Sequence, residues 1–177
     1  MIEPAGTQLW ADIRWRDGWR VQRRFDGAAA RLLAPNGRVA LRGPESECER
    51  ALEHRAPASA AVGHLAVLLH GLGRTRRSLA RMDRALRRAG FTTARLDYPS
   101  TRLPIERHAA GVAELLDHIP TPAAISFATH SLGGLIVRQL LTYDAPWRSA
   151  VSRVVMIAPP NQGASLAHRL DKGCLLY

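Results

Sequence analysis

From residue 64 onward, short apolar runs that suit buried strands alternate with longer segments of helical periodicity. Leu65 to Leu69 is almost continuously apolar, as expected of a strand buried on both faces. Ser78 to Ala89 repeats apolar residues at helical spacing and is stopped by Gly90. This alternation is typical of a parallel sheet covered by helices, so we predict an α/β fold. The pattern predicts further strands at Phe91 to Asp97, Ala123 to Ala128 and Val154 to Ala158, and further helices at Ile105 to Ile119 and Leu132 to Tyr143.

The first 43 residues have a different pattern, in which turn signals recur at short spacing. Asp17-Gly18 and Pro35-Asn36-Gly37 are typical of hairpin turns, so this part predicts a small antiparallel β-meander. A helix follows Pro44, with Cys48 and Leu52 at helical spacing. The alternation of the first strand predicts one shared face for Leu9, Ala11, Ile13 and Trp15.

Three parts follow from these patterns. Residues 1–56 are predicted to form the meander and its helix, residues 57–63 a linker, and residues 64–177 the α/β core. At 177 residues and 46% hydrophobic composition, the chain suits one globular domain with a small appendage.

Composition also bounds the surroundings that we expect for the chain. No apolar stretch approaches the roughly 20 residues that span a bilayer, so we expect no membrane span. Glu3 stands where a signal peptide would be positive, which favours a cytoplasmic location. Cys48 and Cys174 lie far apart and lack metal-ligand spacing, so no metal site is expected.

The net charge of +10 comes from 24 arginines and a single lysine. Because the arginines occur in almost every segment, we interpret them as a compositional bias and not as a basic patch, and we do not expect nucleic acid as a partner. Tryptophan and arginine interleave from Trp10 to Phe25, which would suit a stacking platform for single-stranded nucleic acid. A hairpin core flanked by charge explains that pattern equally well.

A serine lies at the junction between the third predicted strand of the α/β core and its helix. Ser131 is preceded by Thr129 and His130 and followed by Leu132, Gly133 and Gly134. A sharp strand–turn–helix junction holds its central side chain at a strained backbone position and exposes it over the sheet edge. Ser131 is therefore a candidate nucleophile. The alternative is a helix N-cap without chemistry.

The segment His70-Gly71-Leu72-Gly73 closes the first strand of the parallel sheet. Loops that follow parallel strands share one rim, so this segment and Ser131 are expected to lie together. A backbone N–H of the loop and that of Leu132 would form a two-donor oxyanion hole. Gly71 and Gly73 let the backbone approach a substrate carbonyl, whereas His70 and His130 are expected to shape the loops.

Four motifs in this order resemble those of bacterial α/β-hydrolases of the lipase and serine esterase type, over residues 64 to about 170. The resemblance implies hydrolysis of a small-molecule or lipid carboxylic ester, with Ser131 as the nucleophile and the N–H groups of Leu72 and Leu132 as the oxyanion hole. It also implies that no cofactor is needed. Thr129 departs from the family pattern, which has glycine there. The motifs are His70-Gly71-Leu72-Gly73-Arg74, Asp97-Tyr98-Pro99-Ser100, Thr129-His130-Ser131-Leu132-Gly133-Gly134 and Val155-Met156-Ile157-Ala158-Pro159-Pro160-Asn161-Gln162-Gly163.

The acid and the base of a catalytic triad have no clear place in the chain. In this family they follow the serine on loops after later strands, and two more strand–helix units need on the order of 50 residues. Only 19 residues follow Ala158, which predicts the amino-terminal part of such an enzyme, truncated at its carboxyl end. Asp144 and His168 keep the expected chain order and are the candidates, although Asp144 directly follows the helix after Ser131.

Two other interpretations stay open. The chain could be a non-catalytic binding protein or an inactive fragment that reuses the fold, and its arginine surface could bind nucleic acid. The sequence does not indicate an oligomeric state.

Overall fold

A computed structural model describes residues 8–57 and 63–161 of the chain. The amino-terminal part contains four strands and a helix, namely β1 (Trp10–Arg16), β2 (Trp19–Arg24), β3 (Ala30–Leu33), β4 (Val39–Gly43) and α1 (Glu45–Arg55). The second part alternates strands and helices, namely β5 (His64–Leu69), α2 (Ala80–Arg88), β6 (Thr92–Leu96), α3 (Ile105–Asp117), β7 (Ala124–His130), α4 (Leu132–Leu140) and β8 (Val151–Ile157). Short 3-10 helices lie at Arg76–Leu79 and Pro146–Ala150.

The amino-terminal strands form an antiparallel sheet in the order β1-β2-β3-β4. Asp17 and Gly18 both have positive φ, 49° and 83°, which is the geometry of a two-residue hairpin turn between twisted strands. One face of the sheet packs against α1 through a small apolar cluster that includes Val21, Leu32 and Cys48. The predicted meander and helix are therefore confirmed.

The predicted single face of the first strand is wrong. The pairing of β1 with β2 shifts register between Asp12 and Arg14, and such a bulge places the residues after it on the opposite face. Ile13 consequently packs in the cluster beneath α1, while Trp15 belongs to the core of the parallel sheet.

The second sheet is parallel, with strand order β6-β5-β7-β8, as the alternating pattern predicts. The apolar strand β5 lies inside it, paired with β6 on one side and β7 on the other. Its residues Leu65 to Leu69 are at most 1% exposed, because α3 and α4 cover one face and α2 the other. The last helix ends earlier than predicted, at Leu140, and β8 begins earlier, at Val151.

The two sheets meet where β1 lies beside the carboxyl end of β6. The Asp12 N–H donates to the Asp97 carbonyl at 2.9 Å, and the Asp97 N–H donates to the Asp12 carboxylate at 2.7 Å. Trp15 completes the contact by packing in the larger core. The division of the chain at residues 57–63 stays a prediction, since most of that segment lies outside the described residues. Among the helices that the structure describes, none has the length and apolarity to cross a membrane.

Candidate active site at the carboxyl edge of the parallel sheet

Ser131 has the backbone conformation that its position between β7 and α4 predicts. Its φ of 51° and ψ of −118° lie in a region that costs a non-glycine residue about 1–3 kcal/mol. Hydrogen bonds hold the residue there: its N–H donates to the Ile157 carbonyl at 2.8 Å, and its own carbonyl accepts from the Gly134 N–H at 2.9 Å. The side chain is half-buried and begins the helix without making a capping hydrogen bond. The simple N-cap interpretation therefore lacks its defining contact.

Packing excludes a side chain at Gly133 and leaves little room for one at Gly134. A Cβ at Gly133 would lie 2.7 Å from the Leu69 carbonyl oxygen, and one at Gly134 would lie 3.1 Å from the Pro159 Cβ. Helix α4 therefore begins in direct contact with the carboxyl end of β5 and with Pro159, which follows β8. This contact fixes the position of Ser131 relative to its neighbouring loops.

The loop after β5 lies against the serine turn, so the structure brings the two predicted motifs together. A Cβ at Gly71 would meet the Ser131 Cβ at 3.2 Å and the His130 Nδ1 at 2.9 Å. Within the described residues, the N–H groups of Leu72 and Leu132 have no main-chain acceptor. Leu132 is the first residue of α4, where an N–H has no partner inside the helix. Gly73, with φ of 66°, continues the loop.

His70 is fully buried at the start of this loop. Its ring stacks on the Tyr98 ring with centroids 4.0 Å apart, and its Nδ1 lies 2.9 Å from the Gly71 carbonyl oxygen. The Tyr98 hydroxyl donates to the His70 carbonyl. Burial raises the pKa of that hydroxyl, so it stays a donor at neutral pH.

A chain of hydrogen bonds through Gln8, which precedes β1, supports the same loop. The Gly73 N–H donates to Ser100 Oγ at 3.0 Å, and that hydroxyl donates to Gln8 Oε1 at 2.9 Å. The Gln8 amide then donates to the Arg74 carbonyl at 2.7 Å. Sequence analysis missed Gln8, because only three-dimensional contact shows its role, whereas Ser100 stood in a recognised motif.

The remaining predicted site residues do not meet Ser131 in the described part of the chain. Asp144 is exposed and lies beyond the carboxyl end of α4, whereas Ser131 precedes its amino end. A nine-residue helix spans roughly 14 Å, so the two are far apart. His130 is exposed at the end of β7, and no described histidine ring hydrogen-bonds to the Ser131 hydroxyl. His168 lies outside the described residues. In the described ranges no cluster of histidine, cysteine and carboxylate side chains could hold a metal ion.

A second buried histidine lies behind the Tyr98 ring. His108, on α3, is 4% exposed, and its Nε2 has no hydrogen-bond partner in the described structure. Its ring centroid is 5.1 Å from that of Tyr98. The pKa of His108 is lowered to about 4, chiefly by burial; a hydrogen bond with the Leu103 backbone opposes the shift, and the nearby His70 adds to it. His108 is therefore neutral in the folded protein at pH 7.

This burial predicts a loss of stability in mild acid. As the pH falls from 6.5 towards 4, His108 becomes protonated in the unfolded chain but stays largely neutral in the folded chain. The unfolded state therefore binds more protons, and the free energy of unfolding decreases. His108→Asn is expected to reduce that decrease by up to about 3 kcal/mol. Urea unfolding of both proteins at the two ends of this range measures the difference.

Two features of the experiment keep it specific. Burial is the chief cause that raises the pKa of Asp12 to about 6. Protonation of Asp12 therefore stabilises the folded chain as the pH falls, and this effect is equal in both proteins. His118→Asn, at an exposed position just after the same helix, should keep the wild-type dependence. An unaltered pH dependence in H108N would show that His108 is not the group responsible.

Comparison with known proteins agrees with this architecture. Residues 66–173 match the family model described as the Alpha/beta hydrolase family. A parallel sheet with a strained serine at its carboxyl edge defines an α/β protein of hydrolase type, and the chain belongs to the alpha/beta hydrolase family. Neither a curated protein nor a solved structure gives a match.

Proposed function

We propose that the chain carries the nucleophile and the oxyanion hole of a serine hydrolase that acts on carboxylic esters. The observation that carries this proposal is the strained backbone of Ser131, held in contact with the Gly71 loop. Strain of this kind persists only where the surrounding structure imposes it, and it is concentrated at functional sites. The family supports hydrolase chemistry in general, and the ester substrate is our extension of it.

The proposed reaction uses the two N–H groups beside the serine that have no main-chain acceptor among the described residues. Ser131 Oγ attacks the ester carbonyl carbon, while the N–H groups of Leu72 and Leu132 stabilise the negative oxygen that forms. Collapse of this intermediate expels the alcohol, which takes a proton, and leaves an acyl group on Ser131. Water then releases the acid and restores the hydroxyl. No cofactor is required for these steps.

Among the described residues, no histidine is hydrogen-bonded to Ser131 to accept its proton. Asp144 lies at the far end of α4, so we do not assign it the role of acid. His168 keeps the chain order of the family and remains our candidate base. A serine hydroxyl without a base is a weak nucleophile, so activity depends on how that base is supplied.

A fluorophosphonate probe tests the proposal directly, because it reacts with activated serines. We expect the probe to modify Ser131, located by mass spectrometry of the digested protein. Labelling at another serine, with Ser131 unmodified, would exclude Ser131 as the nucleophile.

A further inference from the structure

A cleft of about 230 Å³ lies between the antiparallel sheet and the segment that continues the loop after β5. Ser131 does not line it, so the cleft is separate from the proposed ester site. We call it the arginine cleft and define it by Trp10, Gln22, Arg31, Arg76, Arg77 and Asp97.

The charges of the arginine cleft do not balance. Asp97 is the carboxylate among its lining residues, and it is occupied by Arg76, whose Nε lies 3.0 Å from Oδ2 and whose N–H donates to Oδ1 at 2.9 Å. Arg31 and Arg77 form no ion pair within the described residues. The cleft therefore carries two positive charges in excess.

The groups that hold Arg31 in place are neutral, so they do not compensate its positive charge. Its guanidinium carbon lies 4.1 Å from the centroid of the Trp10 ring, and its Nε donates to Gln22 Oε1 at 2.9 Å. The terminal nitrogens have no acceptor in the part of the chain that the structure describes. A guanidinium that is fixed in this way loses little freedom when it binds an oxyanion.

One part of the wall is apolar. Trp10 and Leu33 line it, together with the 40% exposed Val39. At about 30 Å³ for each water molecule, the volume of the cleft corresponds to about eight water molecules, which is more than a phosphate group fills. It therefore has room for a small organic group beside an anion.

We propose that the arginine cleft binds small phosphate monoesters, with the phosphate on Arg31 and Arg77 and the organic group against the exposed Val39. A phosphate monoester carries close to two negative charges at neutral pH and therefore balances the excess. Guanidinium groups bind phosphate oxygens through paired, charge-assisted hydrogen bonds. Asp97 keeps Arg76 in position but repels the ligand, so the phosphate is expected to lie on the side away from it.

Calorimetric titration of the full chain with phenyl phosphate, at low salt, tests the proposal. Arg77→Gln and Arg31→Gln are each expected to weaken binding at least about tenfold, because each removes a charge-assisted contact. Arg84→Gln is the matched control, since Arg84 is exposed on α2, outside the cleft, and its loss changes the net charge equally. All titrations use Ser131→Ala as background, so the result is independent of the proposed ester chemistry.

If R31Q fails to fold, judged by circular dichroism, R77Q decides, because Arg77 is exposed and forms no ion pair in the described structure. Absence of binding to phenyl phosphate and to phosphatidic acid vesicles, or an equal loss in R84Q, overturns the proposal. Binding to phenyl phosphate indicates a soluble ligand. Binding only to phosphatidylcholine vesicles that contain phosphatidic acid, lost in R77Q, assigns the phosphate to a lipid headgroup.

Discussion

Replacement of Ser131 by alanine is expected to abolish labelling by fluorophosphonate and to lower the rate of ester hydrolysis at least about a thousandfold. The alanine side chain has no oxygen to form the acyl intermediate, and removal of a nucleophile is among the most costly changes to an enzyme. The measurement is kcat/KM for p-nitrophenyl butyrate, together with probe labelling. The Leu72 and Leu132 N–H groups would remain, so binding of the ester should change little.

Ser126 provides a matched control in the same strand. Its Oγ lies 2.9 Å from the His64 Nε2, so it has the histidine partner that Ser131 lacks among the described residues. It belongs to the amino-terminal half of β7, however, away from the Leu72 and Leu132 N–H groups. Ser126→Ala should therefore keep full activity and labelling. Loss of labelling in S126A, with retention in S131A, would reverse the assignment.

Replacement of Gly133 by alanine is expected to destabilise the protein by about 3 kcal/mol or more. The new methyl carbon would lie 2.7 Å from the Leu69 carbonyl oxygen and 2.9 Å from the Leu69 Cβ. Neither atom is the end of a flexible side chain, so β5 and α4 must move apart. Urea and thermal unfolding followed by circular dichroism measure the change.

Gly111 allows the same substitution without the contact. It lies in the interior of α3, where a Cβ would meet nothing within 4 Å. Gly111→Ala should raise the free energy of unfolding by about 0.5–1 kcal/mol, because alanine restricts the unfolded chain and suits a helix. If G133A and G111A had similar stabilities, the close packing of α4 on β5 would be refuted.

The parallel sheet and the serine turn could be predicted because both depend on local patterns. The apolar run of β5 identifies a strand buried on two faces, and the small residues after Ser131 identify a sharp turn. The contact between the Gly71 loop and Ser131 followed from the rule that parallel strands end at one edge.

Other features depend on contacts between distant parts of the chain and left no local signal. Gln8 and Ser100 are 92 residues apart, and the hydrogen bond between them is visible only in three dimensions. The bulge in β1 adds one residue to a regular alternation, which moves Trp15 to the face opposite Ile13. The arginine cleft was hidden for another reason. Arginines occur throughout the chain, so their number does not show which of them lack carboxylate partners.

The hydrogen bonds between Asp12 and Asp97 have a consequence for the order of events during synthesis. Strand β1 leaves the ribosome long before its partner, because the two aspartates are 85 residues apart. At translation rates of about 5–20 residues per second, Asp97 is synthesised on the order of ten seconds after β1. During that time the buried polar groups Asp12, Arg20 and Gln22 must remain in water. The amino-terminal sheet, although made first, is thus expected to reach its final packing only after β6 has been synthesised.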